Sequence, residues 1–263
     1  MDLGLKGAVV AVTGGTSGIG LATARAFLNE GADVAICGRN EERLQKASQA
    51  LASEFDAKRI MAQRCDVTKA DETRAFAEAI QSWRGGTDVL INNAGQGRMS
   101  TFANTSDDDW RAELELKYFS QIHPVRAFLP MLEKSDRAAI VAVNSLLAYQ
   151  PEPYMVCTSS ARAGVQSLLK SLATEFAGRI RVNSVVLGLI DSGQWQRRFE
   201  AREDKNQSRD EWIAQLAKSK HIPFGRLGKP EEVARAIVFL ASSQVAYITG
   251  ASLEISGGVS RYI

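Results

Sequence analysis

Residues 8–20 read "AVVAVTGGTSGIG", an apolar, β-rich run that stops at a cluster of glycines. The apolar residues are consecutive rather than alternating, so both faces of the strand are buried, as in a parallel sheet. The next stretch, "GIGLATARAFLNEG" (18–31), switches to helical periodicity, with Gly31 placed as its C-terminal cap. A strand, a tight glycine turn and a helix thus open the chain. Everything downstream repeats the strand and the helix.

Strands are predicted over 33–39, 59–67, 87–95, 138–145, 180–188 and 250–258. Helices are predicted over 40–55, about 71–83, roughly 107–133 and about 153–176. Helical crossovers between continuous apolar strands imply a parallel sheet covered on both faces. The fold class is therefore α/β, a single-domain, Rossmann-like doubly wound sheet spanning residues 1–263, with no linker, repeat or low-complexity tract. Residues 191–222 interrupt the alternation with a charged stretch carrying Trp195, Phe199 and Trp212. Ligands of such sheets bind beyond the carboxyl ends of the strands, so this insertion is expected to be a substrate lid. A surface decoration is the plainer reading.

The 263 residues are 45% hydrophobic, enough for a sizeable core, and the net charge is only +2. Without a basic block, nothing favours nucleic acid or an anionic membrane as a partner. No apolar run approaches the roughly 18 residues that cross a bilayer, and the N-terminus does not read as a signal peptide. Cys37, Cys65 and Cys157 are scattered, odd in number and without CxxC spacing, as expected of reduced thiols in a cytoplasmic protein. His123 and His221 lie far apart and outside any ligand motif, so neither a metal site nor a histidine-based triad is expected.

The glycines at 14, 18 and 20 follow a GxxxGxG spacing, unlike the GxGxxG of the commonest dinucleotide fingerprint. The physical need is the same. Glycines let backbone amides approach a pyrophosphate and aim the helix N-terminus at its charge. At the end of the second strand an acidic residue would bind the ribose hydroxyls of NAD. Here stand Gly38, which leaves room, and Arg39, whose guanidinium suits a 2′-phosphate. Ser17 could add a hydroxyl to the same phosphate. NADP(H) is the expected cofactor; the plainer reading of Arg39 is a solvated surface residue.

Taken in order, "TGGTSGIG" (13–20), "CDV" (65–67), "NNAG" (92–95), Ser145, "RVN" (181–183) and "YITGASLEISGG" (247–258) resemble the short-chain dehydrogenase/reductase family over nearly the whole chain. The resemblance implies that Gly14, Thr16, Ser17, Gly18, Ile19 and Gly20 form the phosphate turn. It implies that Asp66 and Val67 hold the adenine and that Asn93, Ala94 and Gly95 line the cofactor groove. The backbone of Ile190 and the hydroxyl of Ser192 would grip the nicotinamide carboxamide. It also implies cytosolic homodimers or homotetramers paired through the two long helices, and a small-molecule substrate.

The family's chemistry uses an asparagine, a serine, a tyrosine and a lysine. Only the serine, Ser145, is present. The tyrosine position holds Thr158, the lysine position Arg162 and the asparagine position Lys117, while Leu187 and Ser256 replace the usual proline and aspartate. Threonine is barely acidic and arginine keeps its proton. Arg162 could still bond the nicotinamide ribose. Lys117, its pKa depressed by a neighbouring cation, or a water held by Lys117 and Thr158, would replace the phenol; Lys117 facing solvent is the plainer reading. Tyr154, four residues before Thr158 and so on the same predicted helical face, is a second candidate, with packing as its plainer role. So is packing for Tyr118. Two cations in an apolar cleft would favour an acidic substrate, and the lid aromatics Trp195 and Phe199 an apolar or ring-bearing portion of it. Three readings stand: an NADP(H)-dependent oxidoreductase with atypical acid–base residues, a non-catalytic or non-redox NADP(H)-binding sensor or partner subunit, and a lyase or isomerase on the same scaffold.

Overall fold

The computed structural model describes residues 2–202 and 206–261. Seven strands form one sheet: β1 (Val9–Thr13), β2 (Asp33–Gly38), β3 (Ile60–Arg64), β4 (Val89–Asn92), β5 (Ala139–Ser145), β6 (Arg181–Leu187) and β7 (Ser252–Ile255). Their order is β3-β2-β1-β4-β5-β6-β7 and every pairing is parallel. Parallel neighbours cannot be joined by hairpins, so each connection needs a crossover. The crossovers carry α1 (Gly18–Asn29), α2 (Glu41–Glu54), α3 (Ala70–Arg84), α4 (Asp107–Leu132), α5 (Val156–Glu175) and α8 (Pro230–Ala241).

Successive strand residues point to opposite faces, and each face has its own core. Val10, Val12, Val34 and Ile36 meet Phe27 of α1, Leu51 of α2 and Ile237 of α8. Ala11, Ala35, Leu90 and Ile140 meet Phe76 of α3, Phe128 of α4 and Leu169 of α5. The Phe76 and Phe128 rings pack edge to face at 5.8 Å. The expected doubly wound sheet is therefore present. The chain lays down β1, β2 and β3 in one direction and returns to place β4 on the other side of β1. The crevice at this reversal is where such folds bind ligands.

Element ends differ from the sequence reading by a few residues, each for a local reason. β3 stops at Arg64 because Asp66 turns the chain, its carboxylate accepting from Thr68 N at 3.0 Å and Thr68 Oγ1 at 2.8 Å. β7 is confined to four residues between Gly250 (φ +70°) and Gly257 (φ +64°). Gly31, at φ +83°, ends α1 as expected. The 191–222 segment contains α6 (Gly193–Glu200) and α7 (Arg209–Ser219), while residues 203–205 lie outside the described residues. Its aromatics do not line an open cleft as a group. Trp195 and Trp212 sit 6.2 Å apart, Phe199 and Trp212 5.7 Å, so they hold α6 against α7.

Candidate active site

The glycine turn is built to leave amides unused. Ser17 caps α1 in extended conformation without a side-chain cap bond, and no acidic residue lies in the first turn. The N–H groups that begin a helix have no partner within it, so this end attracts an anion. Close packing forces the glycines. A Cβ on Gly14 would fall 2.9 Å from Ala94 Cα, and one on Gly20 2.2 Å from the Gly14 oxygen. Asn93 donates from Nδ2 to Thr13 O (2.9 Å) and Gly14 O (3.1 Å), while Thr13 Oγ1 accepts from the amides of Asn93 and Ala94. These bonds clamp the ends of β1 and β4 into one cradle. Asn93 is thus a strut of the turn.

Gly38 packs under Thr16, where a Cβ would lie 2.5 Å from Thr16 Cγ2. That places Arg39, exposed and without an ion pair among the described residues, beside the turn and Ser17. Burial works against the Asp66 anion, but the Thr68 amide and hydroxyl and the nearby Arg39 hold its pKa below the usual carboxylate value. Val67 is buried, and its carbonyl lies 3.3 Å from His123 Nδ1. Across the crevice, Ser192 Cβ is 3.8 Å from the position a Cβ on Gly18 would take. Ile190 bridges to Gly228 through the Leu189 carbonyl and the Asp191 amide.

Ser145 ends β5, and its hydroxyl accepts from Leu147 N at 3.3 Å, capping a short turn. Its proton has no acceptor among the described residues. Arg162 donates from Nη1 to Val143 O at 2.8 Å, whereas its buried Nε has no partner. Its Nη2 lies 3.6 Å from where a Cβ on Gly95 would sit. An orphaned guanidinium edge below the groove, together with the glycine cradle, fits a dinucleotide. Burial pushes the Arg162 pKa down to about 10, with Glu113 opposing that shift.

The remaining candidates meet at a residue the sequence reading passed over. Glu113 Oε1 accepts from Lys117 Nζ at 2.7 Å and from Thr158 Oγ1 at 2.5 Å. Glu113, Lys117 and Thr158 are each only 2–3% exposed. Lys117 also donates to the Gln96 carbonyl. The Thr158 hydroxyl accepts from Arg98 N at 3.0 Å and faces the Arg98 carbonyl at 3.3 Å. Lys117 therefore does not face solvent. Its pKa falls to about 8 mainly through burial; the Arg162 charge adds to this and Glu113 opposes it. The expected effect of a second cation is real but secondary. Glu113 also lines a cavity of about 270 Å³ with Arg39, Thr68, Gln96 and Arg98.

Two expectations need correcting here. With Glu113 as its counter-ion, Lys117 adds no free positive charge to the cleft, so the case for an acidic substrate from Lys117 and Arg162 fails. Helix α5 begins at Val156, not 153, and Tyr154 therefore lies outside it. Its phenol is held from the other side, accepting from Lys220 Nζ at 2.5 Å. Tyr118 does pack as expected, its hydroxyl filling the space a Cβ on Gly164 would need. A sequence signal for Glu113 existed. Positions 113, 117, 121, 125, 128 and 132 form one helical stripe that turns from polar to apolar, and all six are buried.

Among the described residues no helix is long and apolar enough to cross a membrane. A family model for enoyl-(acyl carrier protein) reductase matches residues 14–260. The 3-oxoacyl-(acyl-carrier-protein) reductase of Chlamydia muridarum is 33% identical over 250 residues, covering 95% of this chain and 96% of that protein. A short chain oxidoreductase of Pseudomonas aeruginosa, described as containing an atypical catalytic center, is 57% identical. Its apo structure superposes with a TM-score of 0.96 over 100% of both chains, and its NADPH-bound structure with 0.92 over 97% and 98%. The L-sorbose reductase of Gluconobacter frateurii, complexed with NADPH and L-sorbose, is 32% identical with a TM-score of 0.95 over 100% of both chains. With the fold, the glycine cradle and these likenesses in agreement, the chain belongs to the short-chain dehydrogenase/reductase family and is an oxidoreductase of that type.

Proposed function

We propose that this protein is an NADP(H)-dependent reductase of a carbonyl substrate in which a buried Lys117–Glu113–Thr158 group supplies the proton that a phenol supplies elsewhere in the family. The observation that carries the reading is the Glu113 carboxylate receiving both the Lys117 ammonium and the Thr158 hydroxyl. The dinucleotide lies along Gly14, Thr16, Ser17, Gly18, Ile19 and Gly20. Arg39 and Ser17 hold its 2′-phosphate, Asp66 and Val67 its adenine. Asn93, Ala94 and Gly95 wall the groove, Arg162 bonds the ribose, and Ile190 and Ser192 hold the carboxamide. When bound, the reduced nicotinamide supplies a hydride.

Ser145 donates its unengaged proton to the carbonyl oxygen and fixes it. As that oxygen gains negative charge, Thr158 gives it a proton and recovers one from Lys117 through Glu113. Lys117 is left neutral and is recharged through the cavity beside Glu113. Segment 191–222 serves as the lid, and α4 and α5 pair copies of the chain into a homodimer or homotetramer. The binding-only reading draws on the three protein partners of the Thr158 hydroxyl, which keep it out of the cleft until a substrate oxygen competes.

Lys117 donates only while protonated, so the rate of reduction should fall as pH rises through about 8, and the reverse reaction should gain over the same interval. Lys117→Met should lower turnover roughly 10²–10⁴-fold, the contribution of a positioned acid, while NADPH still binds. Unchanged turnover in stopped assays of NADPH absorbance would rule the group out as the proton source. Replacing Arg39 by serine should cut the preference for NADPH over NADH by about 10–100-fold, the value of a hydrogen bond to a charged group. Titration of both nucleotides, followed by their fluorescence, measures it.

A further inference from the structure

Lys220, which caps α7, and Arg198 of α6 are lid cations that have no carboxylate partner among the described residues and reach back to the body of the protein. Arg209 pairs with Asp191 and Arg98 with Asp109, both at 2.5 Å. Lys220 instead donates to the neutral Tyr154 hydroxyl, with its ammonium 4.8 Å from that ring's centre. Arg198 lies over the Trp195 ring at 4.7 Å and reaches Met99 Sδ at 3.1 Å.

These contacts bring both cations to one place. Ser100 N donates to Tyr154 O at 2.9 Å, Val156 N to Ser100 O at 3.2 Å, and Ser100 bridges to Met155. Met99 and Tyr154 therefore flank a single bridge, and each holds one lid cation. The bridge lies beside the catalytic group, because Met155 Cε and Thr158 Cγ2 both face Gly97. Met99 follows β4, Tyr154 follows β5 and the two cations follow β6, whereas Arg39 follows β2. The cofactor phosphates belong to the β1 and β2 side. The positive charge at the lid is thus available to a different anion.

We propose that Lys220, Tyr154 and Arg198 form a recognition site for an oxyanion carried by the substrate, so that the compounds reduced are small carbonyl compounds bearing a carboxylate or a phosphate. Lys220 keeps two N–H groups beyond the one given to Tyr154. The Tyr154 hydroxyl, an acceptor towards Lys220, retains its own proton, and Arg198 offers a planar fork suited to either anion. This inference rests on the reductase reading for its turnover arm but not for its binding arm.

The test compares 2-oxo-, 3-oxo- and 4-oxocarboxylates with their methyl esters and with a phosphorylated hydroxyketone, using NADPH oxidation by the full-length protein. At least one anion should exceed its neutral counterpart in kcat/KM by about 10–100-fold; whether acid or phosphate leads identifies the source. That ratio should collapse towards one in both Lys220→Met and Arg198→Met. Esters turned over as well as acids, or a ratio untouched in both variants, would overturn the proposal. If nothing is turned over, the reductase reading fails on its own, and fluorescence of Trp195 and Trp212 still decides this one. With NADPH present, the same acids should perturb it in the wild type and not in the variants, and their failure to do so overturns the site.

Discussion

Glu113→Ala should lower the unfolding free energy by about 3–5 kcal/mol, because it strips the counter-ion from a buried ammonium. Lys117 is 2% exposed and has the Arg162 guanidinium as a neighbour. Thr158 is not orphaned, since Arg98 still supplies a donor and an acceptor, so the loss reports the charge pair. Removing Glu113 also removes the influence that raises the Lys117 pKa. The folded pKa then falls further below the unfolded value of about 10.4. A depressed lysine binds fewer protons when folded, so the deficit relative to the wild type is greatest at low pH and shrinks as pH rises through about 8, where the wild-type lysine also loses its proton. The double variant Glu113→Leu/Lys117→Met replaces both charges with apolar groups of similar size and should regain most of the loss. Urea midpoints at pH 6 and pH 9 for the single and double variants check this. A double variant no more stable than the single one would show that the two side chains are not energetically coupled.

Gly20→Ala should raise the NADPH dissociation constant by about 10–100-fold, the equivalent of 1–3 kcal/mol of overpacking. The new methyl would sit 2.2 Å from the Gly14 oxygen and 2.5 Å from Asn93 Nδ2. Neither can step aside. One is backbone, and the other is tied to Thr13 and Gly14 by two hydrogen bonds. The turn must therefore open and lose the alignment of its amides. Gly86→Ala, where nothing lies within 4 Å, is the matched control and should bind as the wild type does. Fluorescence titration with NADPH measures both, and equal affinities would mean that the turn tolerates displacement.

The sheet was legible because buried parallel strands are written as continuous apolar runs. Val9–Thr13 and Ala139–Ser145 carry that signal plainly. Strand ends were less so, since a turn such as the one Asp66 makes with Thr68 depends on side-chain bonds rather than hydropathy. The cradle could be read from glycine spacing, which encodes backbone geometry directly. Glu113 could not be read in the same way. A glutamate four residues before a lysine is the usual mark of a solvated helix face, and only the stripe continuing to Val125, Phe128 and Leu132 turns it inward. Lys220 was hidden for another reason. It meets Tyr154 across 66 residues of chain, and no local pattern announces such a meeting.

A single helical turn of α4 also makes this centre resistant to piecemeal change. A phenol introduced at position 158 would enter the space where Glu113 and the Arg98 backbone hold a hydroxyl, and a lone loss at 113 would strand an ammonium in the interior. Anyone re-engineering the site must therefore exchange positions 113, 117 and 158 together, beginning with an uncharged side chain at 113 or 117.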